Sequence, residues 1–247
     1  MTQQKEFAFN KRNLYFSFLV VALLLILSGV FYFKYQINTI RQEKYEDLKA
    51  ISHLKIDQIL QWRKERIAEA VFFSTNENFR QHALNLVQGT DTVKALKYFH
   101  SRLGTTGRSH TYENIYVVKG NHDVLFSLLP DRIGFHEITK SFIGQAYQGD
   151  TIFISDFYYC QEHGHIHLDV VAPMQDVKTG EKLAVVFRID PRVYLFPLIQ
   201  SWPTSSKTSE TLILRRKNDS VQFLNDLRHS RNPALGMTIS MKEKEVP

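Results

Sequence analysis

The sequence predicts an α+β protein that carries one membrane-spanning helix, and three observations predict it. An uncharged apolar run lies near the N-terminus, at 14–33. A charged stretch without proline or glycine follows it, at 35–87. Beyond these helical stretches, short apolar and alternating runs are separated by turn residues, which is typical of antiparallel strands. The chain therefore begins as helix and continues as sheet.

The apolar run reads LYFSFLVVALLLILSGVFYF, and its length suits a helix that crosses the bilayer. Lys11 and Arg12 precede it, and Tyr15 and Tyr32 lie near its ends, where interfacial aromatic residues belong. This pattern predicts a cytoplasmic segment at 1–13, a transmembrane helix at 14–33 and an extracytoplasmic remainder. The alternative is a cleaved signal peptide, but the small-residue cleavage pattern is missing.

The stretch 34–87 is predicted to be one long helix. Its apolar residues recur at a spacing close to three and four between Ile37 and Trp62, and such a stripe requires a partner surface. We expect the membrane-proximal half to form a stalk that pairs in a parallel homodimer. The alternative is that the stripe packs only against its own domain.

Five strands are expected in the first sheet, with a helix at 138–147 between the second and the third. The strands fall at 115–118, 124–129, 151–158, 165–173 and 182–189. A short helix at 194–201 leads to a second sheet, of which only strands at 211–216 and 221–225 are predicted. A two-stranded hairpin is marginally stable alone, so we expect the chain to be an N-terminal fragment of a longer protein.

Two segments carry a resemblance to a known family. These are YLFPLIQSWPTSSKTSETLILRRKNDSVQFLNDLRH at 194–229, and IHLDVVAPM followed by LAVVFRIDP. Together with the order of elements, they resemble the double Cache (PAS-like) sensor region of bacterial membrane receptors. The resemblance implies a membrane-distal PAS-like subdomain at 88–193, then a junction and an incomplete second PAS-like subdomain at 194–247.

The resemblance also implies a function, that of an extracytoplasmic ligand-sensing region of a transmembrane receptor. A sensor histidine kinase is the favoured whole protein, and a diguanylate cyclase or a chemoreceptor is the alternative. The expected location is the bacterial inner membrane, with the sensor domain in the periplasm or outside the cell. A membrane-anchored periplasmic metal-binding protein or hydrolase remains the competing class.

The resemblance implies a pocket for a small-molecule ligand in the first sheet. Amino-acid-binding relatives carry an arginine followed by a Trp-Tyr pair, then a later tyrosine and aspartate. Here Arg132 is followed by IGFHE instead, while Tyr158 and Asp190 match the later positions. The expected ligand-binding residues are therefore Arg132, Tyr158 and Asp190.

One cluster in the sequence has metal-ligand character, and it consists of Cys160, His163, His165, His167 and Asp169. Within it, His165, His167 and Asp169 alternate along a predicted strand, so they share one face and are candidate metal ligands. The favoured interpretation is nevertheless an exposed, polar strand face with no bound metal or cofactor. The sequence has no G-x-S-x-G, H-E-x-x-H or phosphate-loop motif, so no catalytic residue and no catalytic domain are predicted. Basic residues are scattered along the chain, which argues against a nucleic-acid partner.

Overall fold

The computed structural model describes most of the chain. The described residues are 11–107, 112–120, 122–130, 135–149, 151–161, 163–175, 179–203, 208–227 and 234–242. The chain divides into two compact units, Met1–Leu54 and Lys55–Pro247.

The first unit is helical. It contains most of α1 (Lys11–Ser74), a helix of 64 residues. Among the described residues, α1 is the one helix that is long and apolar enough to cross a membrane, with a mean hydropathy of 2.6 over its most apolar window. The side chains of that window are unburied, as expected of a segment whose partner is lipid.

The helical stretch predicted at 34–87 is broken in the structure. Helix α1 ends at Ser74, and α2 (Glu77–Gln88) begins after Asn76. The side-chain oxygen of Asn76 accepts a hydrogen bond from the Phe79 backbone N–H at 3.0 Å, which is an N-cap. Capping by asparagine starts a new helix without proline or glycine, the breakers on which the prediction relied. Helix α3 (Thr92–Gly107) is the third helix that precedes the first sheet.

A six-stranded antiparallel sheet follows the helices. The elements in chain order are β1 (Asn114–Lys119), β2 (Val124–Ser127), α4 (Glu137–Gly149), β3 (Phe153–Ile154), β4 (Tyr158–Cys160), β5 (His165–Gln175) and β6 (Lys182–Ile189). The strand order is β2-β1-β6-β5-β3, and β4 also pairs with β5. The strand predicted at 151–158 is thus two short strands, both paired with β5.

The two faces of this sheet pack against different helices. Val117, Val170 and Phe187 belong to a core shared with apolar residues of α1, α2 and α3. Tyr116, Val171 and Val186 point the other way and pack with residues of α4. Both faces are therefore covered, and a polar side chain on the α4 face is removed from water.

The second sheet follows α5 (Leu195–Gln200). It contains β7 (Leu214–Lys217), β8 (Ser220–Phe223) and β9 (Thr238–Ser240), in that spatial order. The prediction that this sheet has only two strands is wrong, because β9 pairs with β8 at Val221 and Ile239. The short, polar strand β9 lacked a hydrophobic run that could be recognised.

A lysine at the start of the second unit holds α5. Lys55 is 4% exposed, and its ammonium group donates hydrogen bonds to the carbonyl oxygens of Leu198, at 3.0 Å, and of Ser201. Those carbonyls lie at the C-terminal end of α5, which a cation stabilises. The contact fixes α5 against α1 within this unit.

Candidate functional site

An ion pair is buried between the first sheet and α4. Asp169 on β5 lies directly opposite Arg188 on β6 in the strand register. The side chains are 0% and 2% exposed, and Arg188 Nε lies 3.4 Å from Asp169 Oδ1. Each charge lies in a strand whose other residues are largely apolar. Because the face is covered, both charges are removed from water.

Hydroxyl groups complete the hydrogen bonding of this pair. Tyr158 OH donates to Asp169 Oδ2 at 2.6 Å, and Thr139 of α4 donates to the same oxygen. Arg188 Nη1 donates to Tyr116 OH at 3.0 Å. Burial, followed by the nearby Asp169 charge, raises the pKa of Tyr158, which therefore stays a neutral donor. We use the name polar pocket for this group of five buried side chains, Tyr116, Thr139, Tyr158, Asp169 and Arg188.

Aromatic rings enclose the guanidinium group of Arg188. Its central carbon lies 5.1 Å from the centre of the Tyr116 ring and 5.6 Å from that of Phe135. His136 stacks on Tyr158, with ring centres 4.9 Å apart. A planar cation between aromatic faces is a common way to hold both a guanidinium group and its anionic partner.

A cluster of potential metal ligands lies beside the polar pocket, on the hairpin of β4 and β5. Register pairs Tyr158 with His167 and Cys160 with His165, so these four side chains share one face. His163 lies in the intervening turn, with Nδ1 3.1 Å from Cys160 Sγ. Among the described residues, two groups bring their ligand atoms within 4.8 Å of one another: Cys160, His163 and His167, and Glu113, His165 and His167.

His167 belongs to both groups and is fully buried. Among the described residues, neither of its ring nitrogens has a hydrogen-bond partner. Nε2 faces Glu113 Oε2 at 3.4 Å, a separation that is long for a good hydrogen bond. Burial, assisted by the Arg188 charge, lowers the pKa of His167 to about 2, so the imidazole is neutral with a free lone pair.

A surface cleft of about 370 Å³ opens next to this cluster. Its lining includes Tyr112, Glu113, His165 and Asp190. Burial opposes ionisation of Asp190, yet hydrogen bonds from Arg192 outweigh it and lower the pKa of the carboxyl group. The cleft therefore presents acidic oxygens beside an imidazole.

The structure separates the residues predicted to bind ligand. Tyr158 is part of the polar pocket. Asp190 instead lines the cleft, where Arg192 Nη2 donates to Oδ2 at 2.7 Å. Arg132 lies outside the described residues. The predicted ligand-binding role of these three residues stays a prediction.

The interpretation of 165–169 as an exposed, polar strand face is wrong. His167 and Asp169 are 0% exposed. Alternation along a strand indicates which residues share a face but not what covers that face, and here α4 and neighbouring side chains do. His165 and His167 come together as the spacing implied, whereas Asp169 bonds within the polar pocket.

Sequence reasoning missed Arg188 and Glu113. Arg188 interrupts the apolar run KLAVVFRI, and Asp169 likewise interrupts HLDVVAP. One charge of each sign inside two adjacent apolar strands is a readable signal for a buried pair. Glu113 gave no such signal, because its position beside the histidines depends on the packing of β1 against β6.

No protein-family model and no curated protein matches this chain. Among solved structures, the ligand-binding domain of the Pseudomonas aeruginosa amino acid chemoreceptor PctC, in complex with GABA, is similar with a TM-score of 0.46 and 14% identity. The alignment covers 62% of this chain and 63% of that one. The Vibrio cholerae histidine kinase DctB sensor domain is similar with a TM-score of 0.49 and 10% identity, over 65% of this chain and 60% of that one.

Proposed function

We propose that the chain is the extracytoplasmic ligand-sensing region of a transmembrane receptor. The polar pocket is the observation that carries this proposal. Its Asp169–Arg188 pair is buried, and replacement of such a pair by apolar residues is often neutral or stabilising. We therefore infer that this pair serves recognition of a polar ligand rather than folding.

The chemistry of the polar pocket fits a small polar organic molecule. Arg188 offers a planar cation for an anionic group, and Asp169 offers a carboxylate for an ammonium or hydroxyl group. Tyr158 and Thr139 supply hydroxyl groups that can donate to the ligand or accept from it. Helix α4 covers these groups, so ligand binding would change the packing of α4 on the sheet.

The apolar part of α1 supports membrane anchoring. Its unburied apolar window and the basic residues Lys11 and Arg12 fit a helix that crosses the inner membrane from the cytoplasm. The sensor domain would then lie in the periplasm or outside the cell. A sensor histidine kinase is the favoured whole protein, and a diguanylate cyclase or chemoreceptor is the alternative.

A screen of the full chain in detergent micelles tests the ligand-sensing role. Melting temperature is measured with separate additions of small organic acids, amines and amino acids, because a ligand that binds the native state raises it. At a concentration 100 times its Kd, a ligand stabilises by about 2.7 kcal/mol. We expect at least one class to raise the melting temperature, and a screen in which no compound does so contradicts the proposal.

Matched tyrosine variants locate the ligand. Tyr158→Phe removes the hydroxyl group that donates to Asp169 and retains the ring. Tyr159→Phe is the control, because the neighbouring side chain points to the other side of the strand and is 49% exposed. We expect Tyr158→Phe to reduce the ligand-induced shift and Tyr159→Phe to preserve it. Equal shifts in both variants would place the ligand elsewhere.

Parallel pairing of the membrane-proximal part of α1 remains part of this proposal. Ile51→Cys tests the predicted stripe in reconstituted vesicles, with Ser52→Cys as the control on the adjacent position. We expect oxidation to cross-link the first variant faster than the second, because a stripe residue lies at the seam between paired helices. Equal rates would contradict pairing through this stripe.

A further inference from the structure

The hairpin of β4 and β5 assembles a set of side chains that the proposed ligand-sensing role does not use. We propose that this hairpin binds Zn²⁺ through Cys160 Sγ and one ring nitrogen each of His163 and His167. A fourth position remains for water or an exogenous ligand. The site is distinct from the polar pocket and does not depend on the proposed function.

The geometry of the three ligand atoms is close to that of a zinc site. Bond lengths of about 2.0–2.3 Å to a tetrahedral ion place ligand atoms roughly 3.3–3.7 Å apart. Cys160 Sγ and His163 Nδ1 are 3.1 Å apart, and all three ligand atoms lie within 4.8 Å of one another. Small rotations of these side chains would give the required separations.

The burial of the His167 imidazole and the unsatisfied hydrogen bonding of its ring are independent support for a bound ion. Its side chain is 0% exposed, and no described residue gives either ring nitrogen a hydrogen-bond partner. Leaving a buried polar atom unsatisfied costs about 1–3 kcal/mol. A metal ion beside Cys160 and His163 would satisfy the lone pair of His167, which a packing role leaves unused.

The second group, which contains Glu113 and His165, is better suited to orienting the ligands. His165 Nδ1 already contacts the His163 carbonyl oxygen at 2.8 Å, and Nε2 contacts Glu113 Oε1 at 3.1 Å. The other oxygen of Glu113 faces His167 Nε2. A carboxylate that accepts from a metal-binding histidine fixes its ring orientation, as partners of zinc ligands commonly do.

The donor set also decides which metal fits. One thiolate and two imidazoles suit Zn²⁺, whereas Mg²⁺ and Ca²⁺ prefer oxygen ligands. On binding, the Cys160 thiol releases its proton to solvent and the sulfur binds as thiolate. The cleft lined by Glu113, His165 and Asp190 lies on the side of the cluster where Glu113 and His165 contact the ligands.

Cobalt substitution tests the site on the unmodified chain. Co²⁺ is titrated into the full chain in detergent, which is purified without a histidine tag and treated with a chelator and a phosphine reductant that are both removed before the titration. Cys160 is the chain's one cysteine, so a thiolate-to-cobalt charge-transfer band reports on this residue alone. We expect that band with one Co²⁺ bound per chain, and its disappearance when one equivalent of Zn²⁺ is added. Absence of the band overturns the proposal.

Zinc affinity of variants, measured by competition with a chromogenic chelator, tests His167. We expect His167→Gln to weaken binding more than about 100-fold, the upper range for loss of an orienting partner alone, and Glu113→Gln to weaken it about 10- to 100-fold. His53→Gln, on an exposed part of α1, is the control and should leave affinity unchanged. If His167→Gln binds Zn²⁺ as tightly as the control, the proposal is wrong; if His167→Gln does not fold, the cobalt titration decides.

Discussion

The carboxylate of Asp169 accepts a hydrogen bond from Tyr158 OH at 2.6 Å, and both groups are buried beneath α4. Tyr158 lies on β4, which pairs with one part of β5, and Asp169 lies on another part of β5. The bond therefore ties the hairpin that carries the histidines to the buried ion pair. The polar pocket and the histidine cluster share one strand and one face.

Asp169→Asn is expected to destabilise the fold. The substitution leaves the Arg188 guanidinium group buried without its counter-charge, and breaking a buried pair in this way costs about 3–5 kcal/mol. The measurement is the melting temperature of the full chain in detergent, which should fall by roughly 10 °C. Asp57→Asn, at an exposed position of α1, is the control and should change it little. A fall no larger than that of the control would show that Asp169 does not stabilise Arg188.

The double variant Asp169→Leu with Arg188→Met separates folding from recognition. Both charges are removed together, so no uncompensated charge remains and apolar side chains of similar volume fill the space. We expect the melting temperature to lie above that of Asp169→Asn but below that of the unmodified chain, because the hydroxyl groups of Tyr116, Tyr158 and Thr139 lose their charged partners. Any ligand-induced shift in the screen described above should be lost. A double variant that still responds to the same ligand would exclude the pair from recognition.

Asn114→Asp tests the hydrogen bonds by which the buried Asn114 side chain joins β1 to the end of β2. The amide group donates to Ser127 Oγ and to the Leu129 carbonyl, each at 3.1 Å, while its oxygen accepts from the Leu129 N–H at 3.0 Å. Aspartate retains the acceptor and loses both donors, so we expect a loss of about 1–3 kcal/mol. The check is again thermal unfolding, with exposed Asn78→Asp as the control. Equal stability of the two variants would show that these hydrogen bonds of Asn114 do not stabilise the fold.

Lys55→Met tests the attachment of α5 to α1. Methionine retains the length of the side chain but leaves the carbonyls of Leu198 and Ser201 without their cationic donor. We expect unfolding to become easier by about 1–3 kcal/mol and proteolysis near residues 198–203 to become faster. Lys49→Met, at an exposed position on the same helix, should leave both unchanged. No difference between the two would mean that the buried ammonium group does not secure α5.

An element of the fold could be predicted where its residues form a long apolar run or where a recognisable breaker ends it. Strands β1, β5 and β6 were recognised because their apolar runs are long and bounded by turns. The end of α1 was missed because an asparagine cap, rather than proline or glycine, divides the helices at Asn76. Strand β9 was missed because three residues carry too little periodicity to distinguish a strand from a loop.

The site was less predictable because it depends on the register between neighbouring strands and on the helix that packs over the sheet. Alternation placed His165, His167 and Asp169 on one face, and they lie there. It could not show that Arg188 of the next strand lies opposite Asp169, since the register of β5 with β6 is a tertiary property. Nor could it show that the face is buried, which depends on the position of α4.

Strand β5 pairs with β6 along one edge and with β3 and β4 along the other. A backbone amide held between two neighbouring strands exchanges with solvent deuterium only when the sheet opens. Amides on the outer edge of β2 exchange without such an opening. The backbone that carries His167 and Asp169 is therefore among the last parts of the molecule to exchange. Their side chains are presented from a rigid support, so a stimulus would act by moving what covers the sheet rather than by deforming the sheet itself.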